Sequence, residues 1–178
     1  DILGWLGWVE QIDTSTGASE LLSSSVPRSR RIIRFTDRFM VQDRNKLTAF
    51  DASEGALYVL FSAALALLPS APAFLAIDNL DQALNPRLVK ELSRLMCEWV
   101  TRQERQQVIF TAHNPAIIDG LDLEDDRIRL FAVDRDNKGH SQARRVQLTQ
   151  ELAEMARQKD WPLSRLWMMG HIGAVPNV

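Results

Sequence analysis

Three short segments of this sequence carry side chains that could do chemistry together. Phe74-Leu75-Ala76-Ile77-Asp78 is a continuous apolar run ending in a carboxylate. A short run of this kind fits a strand buried on both faces. An acid at the C-terminal tip of a parallel strand stands where open α/β sheets bind their ligands, and there it can hold magnesium, often through water. Thr111-Ala112-His113-Asn114-Pro115 follows a second apolar run and sets an imidazole at its tip, able to donate to a phosphate oxygen. Ser53-Glu54-Gly55 opens a helical pattern, where backbone N–H groups and a hydroxyl form an anion site. Each segment alone has an ordinary reading: a turn acid, a histidine satisfied by nearby backbone, a helix cap supplied by Asp51 or Ser53. Their order along the chain gives them weight.

The elements that must position these residues are legible from periodicity. Residues 56–68 form the longest apolar stretch, too short for the roughly 20 residues of a membrane span, and read as a buried helix of a cytoplasmic protein with no membrane partner. Residues 73–77 form a strand. Asn85-Pro86 supplies a helix N-cap and a first-turn proline, and Leu88, Leu92, Leu95, Met96 and Trp99 follow at helical spacing. Residues 108–112 form a second buried strand. Strand, helix, strand is a βαβ unit, which predicts an α/β fold with a mostly parallel sheet flanked by helices. Residues 128–134 and 142–148 read as a hairpin around Asp136-Asn137-Lys138-Gly139, followed by a helix over 149–159 and a Gly/Pro-punctuated end from Trp161-Pro162. Near the start, residues 31–35 read as a strand, preceded by a Ser/Thr/Gly-rich loop over 14–25. Arg28, Arg30, Arg31, Arg34 and Arg38 crowd this region, as a solvated strand face or, more sharply, as a phosphate-backbone contact.

Composition bounds the answer. The chain has 178 residues, enough for one compact domain, and 46% hydrophobic with 25% charged residues excludes wholesale disorder. A net charge of −2 gives no global pull toward nucleic acid, so any such contact needs a local patch. Cys97 is the single cysteine, which excludes an internal disulfide, and its apolar helical setting marks it as a structural thiol. The opening Asp1, without an initiator methionine, suggests a fragment.

Taken in order, a Ser-x-Gly before a helix, a strand ending in Asp, a Leu-x-Pro before a helix and a strand ending in His resemble the C-terminal half of ABC ATPases of the SMC/RecF-like branch. These are AAA-family ATPases of DNA-repair and phage-defence systems, with a P-loop NTPase fold. The resemblance covers residues 47–178, the ATPase part proper, with 1–46 as a strand/loop segment leading into it. It implies that Ser53-Glu54-Gly55-Ala56-Leu57 is the signature motif, Asp78 the Walker B aspartate and magnesium ligand, Asp81-Gln82-Ala83-Leu84-Asn85-Pro86 the D-loop, and His113 the switch histidine. The ending from Leu166 to Asn177 is similar to tails in the family. ATP and Mg2+ are the implied cofactors. A second ATPase subunit, in a homodimer or higher oligomer, is the implied partner; DNA and a partner nuclease or toxin are further partners that the family admits. In such a dimer Asp78 and His113 serve ATP bound to their own subunit, while Ser53, Glu54 and Gly55 belong to the segment that reaches ATP on the other.

The sequence departs from the pattern in three places. No Gly-x-x-x-x-Gly-Lys-Ser/Thr occurs, so the phosphate-cradling loop is absent from these residues and the domain is incomplete without its N-terminal half. Asn79 stands where the family has a glutamate or aspartate that polarises the attacking water. An amide orients water but does not accept its proton, so hydrolysis is expected to be slow, or Asp81 substitutes. Ala52 precedes Ser53 where leucine is frequent. Two other functions compete: a non-hydrolysing ATP-sensing regulatory module controlling a nuclease or toxin, and a nuclease using Asp134 and Asp136 as an Asp-x-Asp metal pair.

Overall fold

The computed structural model describes residues 6–15, 31–103 and 105–172. The chain divides into two compact units, residues 1–64 and 65–178.

In the first unit, β1 (Val9–Ser15), β2 (Ile32–Asp37) and β3 (Lys46–Thr48) form an antiparallel sheet in that order. Inward-facing Val9, Ile32 and Phe35 are buried with Leu6, and Trp8 tilts against Phe35 with ring centroids 5.8 Å apart. Thr14 and Ser15, expected in a loop, are strand residues paired with Ile33 and Ile32; residues 16–25 lie outside those described. Two arginines of the cluster serve the sheet itself. Arg34 makes a two-pronged pair with its register partner Asp13, at 2.9 Å for each bond, and Arg38 donates to the Val9 carbonyl at 2.8 Å. Arg28 and Arg30 lie outside the described residues.

Helix α1 (Glu54–Leu67) carries Ala56, Val59, Ala63 and Ala66 along one buried stripe. It is not buried all round as expected: Phe61 and Leu67 are exposed, because a helix buries only the face that meets a neighbour. Among the described residues, no helix is long and apolar enough to cross a membrane.

The second unit is built on β4 (Phe74–Ile77), α2 (Pro86–Arg102) and β5 (Gln107–Phe110). The strands are parallel neighbours, with Phe74 opposite Gln107 and Ile77 opposite Phe110. Helix α2 starts where Asn85-Pro86 predicts. The Asn85 side chain accepts from Leu88 N–H, and the proline sits where no backbone donor is needed. Its buried face is Val89, Leu92, Ser93, Leu95 and Met96, with Val89 rather than Leu88 at the first position. Each fully buried Leu or Met here contributes about 1.5–3 kcal/mol.

A 3-10 segment, Pro115–Gly120, follows β5 and packs on α2, capped by Asn114 as α2 is by Asn85. Gly120 lies so close to α2 that a Cβ would sit 2.0 Å from Ser93 Oγ and 2.1 Å from the Lys90 carbonyl. Strands β6 (Leu130–Arg135) and β7 (Ser141–Val146) make the expected hairpin, and α3 (Gln150–Lys159) begins at a Thr149 cap. A further helix, α4 (Leu163–Met168), was not expected from Trp161-Pro162. The Asp119 carboxylate starts it by accepting from Ser164 N–H at 2.8 Å and Ser164 hydroxyl at 2.7 Å, and Lys159 and Arg165 both lie over the Trp161 ring. Residues 173–178, the end of the expected tail, lie outside those described.

Two further expectations need correction. The sheet is not mostly parallel: the described residues hold one parallel pair and two separate antiparallel sheets, because only the β4–α2–β5 crossover places strands side by side in the same direction. Nor are β4 and β5 buried on both faces. Phe74 and Ile109 remain 55% and 54% exposed.

Candidate functional site

The chemistry-bearing residues of the second unit gather at the C-terminal tips of β4 and β5. The parallel register brings Asp78 and Thr111 level, one residue beyond the last paired positions Ile77 and Phe110. Thr111 Oγ donates to Asp78 Oδ1 at 2.5 Å and accepts from Asn79 N–H at 2.9 Å. Its backbone closes the same joint: Thr111 N–H donates to the Ile77 carbonyl at 3.0 Å, and the Thr111 carbonyl accepts from Leu80 N–H at 2.9 Å.

The loop leaving β4 is shaped by its backbone. Asn79 and Ala83 have positive φ, 54° and 59°, in the left-handed region that asparagine tolerates better than most residues. Between them Leu80 is 1% exposed and anchors the loop in the core. Asp81 then turns toward the other strand. Its Oδ2 accepts from both His113 N–H, at 3.0 Å, and Asn114 N–H, at 2.7 Å. The carboxylate therefore holds the turn that presents the His113 side chain, which is exposed. Asp78, Asn79, Asp81 and His113 thus form one constellation at two adjacent strand tips.

The signature-like segment belongs to α1. Ser53 supplies the cap: its hydroxyl and carbonyl accept from Ala56 N–H at 3.3 and 3.0 Å. Accepting leaves the hydroxyl hydrogen as a donor. Asp51, the other capping candidate, instead closes the preceding turn by accepting from Thr48 N–H at 2.9 Å and Thr48 Oγ at 2.7 Å. Ser53 and Glu54 are exposed and Gly55 is buried.

The Asp134–Asp136 pair is spoken for by its own hairpin. Asp134 forms an ion pair with Arg144, and Asp136 accepts from the N–H groups of Lys138 and His140 at 2.8 and 2.9 Å. Those backbone donors, His140 foremost, hold the Asp136 carboxyl below its usual range. Among the described residues, no group of three or more His, Cys, Asp or Glu could hold a metal. Magnesium does not need one, because it binds through one or two carboxylates together with water and substrate phosphates. An exposed Asp78 with a hydroxyl beside it fits that donor set.

A family described as "AAA domain, putative AbiEii toxin, Type IV TA system" matches residues 13–119, more than half of the chain. The chain belongs to this AAA-domain family. The matched span contains Ser53, Asp78, Asn79, Asp81, Thr111 and His113, and it starts within β1. No curated protein matches this AAA-family chain. Among solved structures it is similar to a chain from work on the structural biochemistry of ATP-driven dimerization and DNA stimulated activation of SMC ATPases. The identity is 15%, the TM-score 0.53, and 89% of this chain and 88% of that chain are covered. At that identity the likeness is one of fold.

Thr111 is the residue that sequence reasoning passed over. It stood inside the segment read for its histidine, and its role depends on the β4–β5 register. A hydroxyl at the tip of one parallel strand beside a carboxylate at the tip of the next is the signal that could have found it.

Proposed function

We propose that this chain forms part of an SMC/RecF-like ABC-type ATP site, in which Asp78 holds magnesium, His113 contacts the γ-phosphate of ATP on the same subunit, and Ser53, Glu54 and Gly55 belong to the segment that meets ATP on a second subunit. The observation that carries this reading is the pairing of Asp78 and His113 at adjacent parallel strand tips, tied by Thr111–Asp78 and Asp81–His113 hydrogen bonds. When bound, magnesium would neutralise phosphate charge. The chain's own residues orient the nucleotide: the imidazole donates to a phosphate oxygen, and the N-terminus of α1 with the Ser53 hydroxyl offers donors to an anion. A ligand shared across two subunits makes their association depend on it.

Within this reading Asp81 positions His113, one of its oxygens accepting from two backbone donors. With Asn79 a neutral amide, turnover is slow and the ATP-bound dimer long-lived. That combination also favours the second reading, a non-hydrolysing ATP-sensing module that controls a partner nuclease or toxin. The family's description as a putative toxin of a Type IV TA system supports a toxin-linked setting; DNA remains a candidate activator.

The test is ATP-dependent dimerisation of the intact protein by light scattering. Ser53→Arg should abolish it, and an unchanged dimer population would overturn the proposal. Phosphate release above that of an Asp78→Ala control would exclude the non-hydrolysing module.

A further inference from the structure

We infer that Thr111 is a positioning residue for the Asp78 carboxylate, setting the oxygen it presents to a divalent cation. This rests on the ATP-site reading above and deepens it. The Thr111 hydroxyl has one hydrogen and two lone pairs. The hydrogen goes to Asp78 Oδ1 and one lone pair receives Asn79 N–H, so a single oxygen fixes both the carboxylate and the next peptide. Asp78 is exposed and hangs on a loop that turns at once into a left-handed residue. Without a lateral anchor its χ1 and χ2 are free to rotate. Thr111 is itself held rigidly, by Thr111 N–H to the Ile77 carbonyl and by Leu80 N–H to the Thr111 carbonyl, and Leu80 is buried. The chain of anchors runs from core to carboxylate: Leu80, the Thr111 backbone, the Thr111 hydroxyl, Asp78 Oδ1. The second carboxylate oxygen is left for a cation. Partners of this kind fix the orientation of metal ligands, and their loss weakens metal binding by about 10–100-fold.

Thr111→Val keeps the shape and removes the hydroxyl; Thr111→Ser keeps the hydroxyl. In the intact protein with ATP, Mn2+ binding read by electron paramagnetic resonance should weaken about tenfold in Thr111→Val and stay within about twofold of wild type in Thr111→Ser. Without nucleotide, hydrogen exchange at the Asn79 amide should accelerate in Thr111→Val alone. Wild-type Mn2+ binding or unchanged Asn79 exchange in Thr111→Val would overturn the inference, as would a serine variant as weak as the valine one. Asp78→Ala separates the two levels. If it abolishes Mn2+ binding while Thr111→Val leaves it intact, only the role of Thr111 fails; if Asp78→Ala binds Mn2+ normally, the ATP-site reading falls with it.

Discussion

Asp81 holds His113 by its backbone and not by its ring: one carboxylate oxygen accepts from the N–H groups of His113 and Asn114, at 3.0 and 2.7 Å. The loop that leaves one strand thereby sets the conformation of the turn that leaves its neighbour. Asp81→Ala removes two charge-assisted hydrogen bonds and leaves two backbone donors to find water, a loss of about 1–3 kcal/mol. Amide exchange at His113 and Asn114 should accelerate, and nucleotide turnover should fall with it. A variant with altered turnover but wild-type exchange at those amides would point instead to a direct chemical role for Asp81.

Asn79 invites the opposite experiment. Asn79→Asp restores a carboxylate beside Asp78 in a residue that also tolerates the left-handed region occupied here, at φ 54°. Phosphate release should rise by about tenfold or more, because a general base contributes at least that much. Unchanged turnover would mean that the amide is not what limits hydrolysis.

Gly120 is the steric pivot between α2 and the 3-10 segment. Gly120→Ala places a methyl 2.0 Å from Ser93 Oγ and 2.1 Å from a backbone carbonyl. The Ser93 hydroxyl is fully buried and donates toward Ile117 and Lys90 carbonyls, so it has nowhere to retreat. Overpacking of this kind costs about 1–3 kcal/mol. Thermal unfolding should shift down by roughly 3–10 °C for a chain of this size. A melting temperature within a degree of wild type would contradict the close packing.

Cys97 should be inert in the folded protein. Burial, with the charges of Asp125 and Asp122, pushes its thiol from 9.0 up to about 11. The unfolded chain ionises near pH 9 while the folded one stays neutral, so the folded form binds more protons in that window. Stability therefore falls as pH rises from about 9 to about 11, by on the order of 2 kcal/mol. Cys97→Ser should flatten that part of the profile. Rapid alkylation of Cys97 at pH 8 under native conditions would refute the assignment.

Local signals carried much of this fold. The Asn85-Pro86 start of α2, the start of α3 next to Thr149 and the turn at Gly139, φ 83°, all depend on residues a few positions apart, and each stands where it was expected. The twin Asn114-Pro115 starts the 3-10 segment by the same local chemistry. α4 was illegible because its cap is Asp119, 45 residues upstream of Ser164. The site divides the same way. Asp78 and His113 were legible as strand tips; Thr111 and the backbone grip of Asp81 were not, since hydrogen bonds between residues 32 or 33 positions apart require the strand register first.

Leu80 lies between Asn79 and Asp81, and it is among the least exposed side chains of the chain. The Asn79 amide and the Asp81 carboxylate flanking it are therefore mounted on the hydrophobic interior itself, with no spacer to absorb movement. Loosening of that interior on warming will be transmitted straight to the strand tips, so ligand affinity should fade several degrees before the protein melts.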